Sequence, residues 1–122
     1  MRTARILGGW THRENETKRC ISHQRIIFTT LLLNPPKVQR LFEMLPQKIE
    51  KAKTDQLGMQ SFLILADAQQ ENKIYIFERF CSQADLDRRG GTWITDLGEG
   101  GLVISRDELF VEEVMGFLDK NE

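Results

Sequence analysis

With 122 residues, 40% of them hydrophobic, the chain has material for one domain with a modest core and not for two. Its formal net charge of −1 is unevenly spread: residues 1–25 hold six Lys/Arg against Glu14 and Glu16, a net +4, which leaves 11 against 16, or −5, for the rest. A mildly acidic body argues against nucleic-acid binding, which draws on a basic face, and no apolar run reaches the roughly 18 residues of a membrane-spanning helix.

Cys20 and Cys81 lie far apart, with no CxxC or His spacing around them. The sequence therefore predicts neither a disulfide nor a metal site, and a reducing, cytoplasmic setting. Residues 1–25 show no sustained period, and the polar stretch Thr11 to Cys20 reads as part of a flexible N-terminal tail. An organellar presequence is the alternative, weakened by Glu14, Glu16 and the scarcity of Ser. Trp10, His12 and His23 fall in or beside this tail, with no periodic segment to hold them, and are assigned no catalytic role.

Arg25 to Leu33, RIIFTTLLL, is a continuous apolar and β-branched run and predicts a buried strand. Asn34-Pro35-Pro36 ends it; Asn34 is expected to cap the next helix, whose first turn tolerates proline. Val38, Leu41, Phe42, Leu45, Ile49 and Ala52 then form one helical stripe facing a sheet. Pro46 falls inside that stripe and is expected to bend the helix near Phe42 to Pro46.

Met59 to Ala66 and Lys73 to Phe80 flank the polar DAQQEN and predict a β-hairpin. By strict alternation Ile74, Ile76, Glu78 and Phe80 share one face of the second strand, and Tyr75, Phe77 and Arg79 the other. In the first strand Met59, Ser61, Leu63 and Leu65 oppose Gln60, Phe62, Ile64 and Ala66. Both faces are largely apolar, whereas an antiparallel sheet covered on one side alternates apolar with polar. A cover is thus required on each face, and the chain's own helices suffice for one.

After Phe80, Ser82 and Asp85 form a capping pair for a short helix, Gln83 to Arg89, ended by Gly90-Gly91. Thr92 to Leu97 reads as a further helical turn; its Trp93 is either a lid on a pocket or a core anchor. Gly98-Glu99-Gly100-Gly101 lacks the spacing of a phosphate-binding loop and reads as a flexible connection. The last strand is predicted at Glu108 to Leu118. Glu, Leu and Met make a helix its rival there, while Phe110, Val111, Val114 and Phe117 favour a strand.

The resulting order is an α+β, ferredoxin-like βαββαβ unit with an antiparallel sheet. Gly58-x-x-Ser61-Phe62 at the entry to the hairpin, Glu78-x-Phe80-x-Ser82-x-x-x-Leu86 after it, and the closing EEVMGFL together resemble the antibiotic biosynthesis monooxygenase (ABM) domain family of dimeric α+β barrels. The resemblance covers residues 26–118 and leaves 119–122 as a C-terminal tail. It implies a homodimer with facing sheets and a small apolar pocket between sheet and helices. It further implies oxidation of a quinol or polyketide-type hydroxylated aromatic by molecular oxygen with no cofactor, neither metal nor flavin; that no nucleic acid and no membrane is involved is the expectation from charge and hydropathy above.

Many members carry a His near the end of the second helix, where this chain has Arg89. An arginine stays protonated and cannot act as a base, but it can hold an enolate or phenolate oxygen. Haem-degrading members carry a Trp where this chain has Phe80. The candidate catalytic residues are Glu78 and Arg89, and the candidate substrate-binding residues are Phe80, Trp93, Phe62 and Ser61. Plain structure competes with each role. Glu78 can pair with Arg79 or Arg89, the two phenylalanines can simply pack, and Ser61 can serve a turn. If Glu78 is buried among apolar neighbours its pKa rises, which suits proton abstraction. Two functions stay open: a cofactor-free monooxygenase or related enzyme, and a non-catalytic dimeric ligand-binding or stress-related barrel.

Overall fold

A computed structural model describes residues 3–12, 25–88 and 101–112. In chain order the elements are β1 (Ala4–Trp10), β2 (Arg25–Leu33), a 3-10 turn (Pro35–Lys37), α1 (Val38–Asp55), β3 (Met59–Asp67), β4 (Lys73–Phe80), α2 (Gln83–Arg88) and β5 (Val103–Glu112). The strands form one sheet in the order β1-β3-β4-β2-β5, antiparallel at every pairing. From β2 onward this is the expected βαββαβ unit.

β1 is an addition to that unit, and it corrects the tail reading for Ala4–Trp10, which pairs along β3. The strand was hidden because Gly8-Gly9 breaks any alternation, and Gly9 is there for contact rather than flexibility. Gly9 has φ of 116°, and a Cβ at that position would run into the carbonyl of Phe62. β2 spans Arg25–Leu33, the bounds that the apolar run predicts, so Arg25 belongs to the strand and not to the tail.

The side of the sheet packed on α1, the inner face, holds the core. Ile27, Leu31 and Leu33 of β2, Phe62 and Ile64 of β3, and Ile74, Ile76 and Phe80 of β4 pack with Leu41, Leu45 and Ala52 of α1. The helical stripe thus faces the sheet as predicted. α1 runs from Val38 to Asp55 with Pro46 inside it, at an exposed position. Asn34 makes no side-chain cap; its amide donates instead to the carbonyl of Gly101 at 3.3 Å, joining the start of the helix to the approach to β5.

Two registers depart from expectation. A bulge between Met59 and Ser61 breaks strict alternation, so that Met59 pairs with Phe80 and enters the core while Ser61 pairs with Arg79 on the opposite face. β5 spans Val103–Glu112 rather than beginning at Glu108, because Leu33 to Arg25 of β2 offers it a full-length partner. Residues 113–118 of the predicted strand lie outside the described residues.

The outer face carries Ile26, Phe28, Leu63, Leu65, Tyr75, Phe77, Leu109 and Val111, and no described helix covers it. Leu109 is 58% exposed. Phe28 and Tyr75 stack there with ring centroids 5.8 Å apart. Ile76, which belongs to the alternate set, is fully buried in the core.

Cys81 is disulfide-bonded, against the expectation of no disulfide. The other cysteine of the chain, Cys20, lies outside the described residues. Separation along the chain carries no information on tertiary proximity, and so it could not exclude a disulfide at Cys81. Among the described residues no helix is long and apolar enough to cross a membrane.

Candidate functional site

β4 is a central strand, so its even-numbered side chains are sealed between neighbouring strands and α1. That position, and not any local motif, buries Glu78 completely. The ladder pairs Trp10 with Phe62, Phe62 with Glu78, Glu78 with Ile27, and Ile27 with Phe110. These five residues form one row across the inner face, with a carboxylate at its centre. Phe80, two residues further along the same strand face, is also fully buried. Trp10 meets Phe62 edge to face, with centroids 5.4 Å apart and planes at 61°, so the aromatic end of the row is firmly packed.

In the neighbouring row Thr29 sits between Ile76 and Glu108. Its hydroxyl is fully buried and has no hydrogen-bond partner among the described residues.

Of the six candidate residues, Glu78, Phe80 and Phe62 come together on the inner face. Ser61 stands on the outer one, where it accepts a hydrogen bond from Arg79 Nε at 2.8 Å and donates to the carbonyl of Thr11. Arg79 Nη2 donates to the same carbonyl at 3.2 Å. Arg79, only 7% exposed, thus ties β4 and β3 to the end of β1. Arg89 and Trp93 lie outside the described residues, as does the Thr92 to Leu97 segment.

α2 begins as its sequence predicts. Ser82 Oγ accepts from the backbone N–H of Asp85 at 3.2 Å and donates to its carboxylate at 3.0 Å, and Arg88 closes on that carboxylate at 3.0 Å. Gly58 lies directly against Asp85, leaving no room for a side chain, which explains the glycine of the Gly58-x-x-Ser61-Phe62 pattern.

Beside the Glu78 row, where β2 begins and β5 ends, a cavity of about 370 Å³ is lined by Arg25, Ile26, Gln83, Leu86, Phe110 and Val111. Sequence reasoning missed Arg25 and Phe110 as site residues. Arg25 was hidden by its place next to the tail, and Phe110 read only as a strand former.

No protein-family model matches the chain, and no curated protein matches it. Solved structures do. A candidate monooxygenase of Lactobacillus acidophilus superposes with a TM-score of 0.65 at 13% identity, over 91% of this chain and 50% of that one. The chain thus spans about half the length of that structure, and 49% of a similar one from Fusobacterium nucleatum. A candidate antibiotic biosynthesis monooxygenase of Bacteroides thetaiotaomicron matches with a TM-score of 0.65 at 14% identity, over 79% of this chain and 94% of that one. Another from Nitrosomonas europaea gives 0.64 at 14% identity, over 76% and 92%. With an α+β architecture, an antiparallel sheet and these superpositions, the chain has the fold of the antibiotic biosynthesis monooxygenase structures.

Proposed function

We propose that this protein is a dimeric, cofactor-free monooxygenase, or a closely related small-molecule enzyme, acting on a quinol or polyketide-type hydroxylated aromatic. The observation that carries this reading is Glu78, a carboxylate shut away from solvent in the middle of a row of aromatic and aliphatic side chains, with Phe80 beside it. In this reading Glu78 takes a proton from an acidic O–H or C–H of the substrate, and the electron-rich anion reacts with oxygen. The substrate supplies the electrons: a ring CH₂ becomes C=O, one oxygen atom enters the product, and the other leaves as water. The names carried by the structures of the same fold support the reaction class.

The second copy is proposed to cover the outer face, whose apolar side chains have no other cover among the described helices. An obligate interface of this kind buries on the order of 2,000 Å² in total. The alternative, a dimeric barrel that binds a ligand without turning it over, is favoured by Arg89 at the position where a His base would stand. Oxygen uptake with a panel of anthrones and quinols, on metal-stripped protein, decides between them. Uptake proportional to protein supports the enzyme, and binding of the same compounds without uptake supports the silent barrel.

A further inference from the structure

Thr29 is out of place on the inner face. It shares that face of β2 with Ile27, Leu31 and Leu33, all of them core residues, and it is itself fully buried. Its hydroxyl has no hydrogen-bond partner among the described residues. Neither strand formation nor packing requires that oxygen, because valine has the same branched shape and the same preference for a strand. A buried hydroxyl that bonds to nothing destabilises the fold, so its presence needs a reason other than packing.

Two carboxylates come near this hydroxyl, and neither bonds to it. Glu108, its ladder partner in β5, lies 3.8 Å from Arg106 Nε. Glu78 is its diagonal neighbour: Thr29 pairs with Ile76, and Glu78 stands two residues further along the same face of β4. Diagonal partners across an antiparallel pair lie about 7 Å apart. One oxygen atom lying between such a hydroxyl and such a carboxylate reaches both, since each hydrogen bond spans about 2.8 Å. The approach is from β5, where Phe110 at the end of the Glu78 row is 63% exposed and the Glu108 side chain 21%.

We infer that Thr29 is a substrate-contacting residue of the Glu78 site, its hydroxyl donating to the same substrate oxygen whose proton Glu78 takes. The ligand this pair selects is an aromatic hydroxyl, which accepts from Thr29 and donates to Glu78 through one atom; a methyl group in its place does neither. As the O–H proton passes to Glu78, negative charge grows on the oxygen and the bond from Thr29 strengthens, while Thr29 keeps its own proton. This rests on the reading of Glu78 as proton acceptor toward a hydroxylated aromatic, and it adds the donor that holds the resulting anion.

The test is fluorescence titration with 2-naphthol and with 2-methylnaphthalene, which carries a methyl group of similar size in place of the hydroxyl, on wild type, Thr29→Val, Thr29→Ser and Thr29→Ala. The wild type is expected to bind the naphthol at least about tenfold more tightly than the hydrocarbon. Thr29→Val should cut that preference by about five- to tenfold and leave the affinity for 2-methylnaphthalene unchanged. Thr29→Ser should keep most of the preference, and Thr29→Ala, which also lacks the hydroxyl, should lose it as the valine variant does. The inference is overturned if the wild type shows no preference for the naphthol, as it would if the hydroxyl served only a bound water. It is equally overturned if the preference survives in Thr29→Val and Thr29→Ala, or if these variants weaken both ligands alike. Loss of the preference in Thr29→Val together with absent oxygen uptake in wild type retires the monooxygenase reading and keeps the contact. Oxygen uptake in wild type with the preference intact in Thr29→Val keeps the enzyme and overturns the contact.

Discussion

Glu78 and Arg79 are consecutive in β4, and the sheet sends them to opposite faces, the carboxylate into the core row with Phe62 and Ile27 and the guanidinium onto Ser61 and the Thr11 carbonyl. Adjacent charges that sequence would pair are thereby given separate duties. Glu78→Gln keeps the shape and removes the proton acceptor, so turnover is expected to fall by about 10² or more with melting temperature nearly unchanged. Arg79→Met should do the reverse, lowering stability by about 1 to 3 kcal/mol as Ser61 and Thr11 lose their buried partner. Parallel oxygen-uptake and thermal-melting measurements check the split; a Glu78→Gln variant at full activity would remove the carboxylate from the mechanism.

The outer face supplies a separate test. Phe77 pairs with Phe28 and Leu63 at its centre, away from the α1 core. Phe77→Asp is expected to give a folded monomer where wild type is a dimer at micromolar concentration, read by light scattering and circular dichroism. Ile76→Asp, one residue away but fully buried, should give unfolded or aggregated protein, because its charge would have no partner in the core. A wild-type monomer would end the dimer proposal.

Gly8 and Gly9 differ in what surrounds them. A Cβ on Gly8 would meet only the end of the Ile49 side chain, at 2.7 Å, which can swing aside, whereas one on Gly9 would strike backbone at a φ that L residues avoid. Gly9→Ala is expected to cost about 1 to 3 kcal/mol and Gly8→Ala less than about 1 kcal/mol. Hydrogen exchange should locate the loss in the β1–β3 ladder; equal costs for the two variants would refute the assignment.

The Thr29 hydroxyl is buried without a hydrogen-bond partner among the described residues. Replacing an unsatisfied buried hydroxyl by a methyl group of similar shape removes a desolvation cost of about 1 to 3 kcal/mol. Thr29→Val should therefore raise the melting temperature by several degrees. A lower melting temperature would reveal a bond that this hydroxyl makes in solution.

The sequence by itself determined the parts that depend on local periodicity and short-range bonding. The α1 stripe, the hairpin, the Ser82–Asp85 cap and the two-sided apolar character of the central strands were all legible, because helical and strand periods are written residue by residue. Glu78 could be picked out as the carboxylate among Ile74, Ile76 and Phe80. Only the tertiary structure decided the rest. β1 exists because β3 offers an edge on which Gly9 can press against Phe62; Met59 joins the core because a bulge shifts its face; Cys81 is bridged; and Arg25 meets Gln83 across 58 residues of sequence. These are long-range contacts whose geometry is set by how strands are ordered in the sheet, and no local pattern encodes that order.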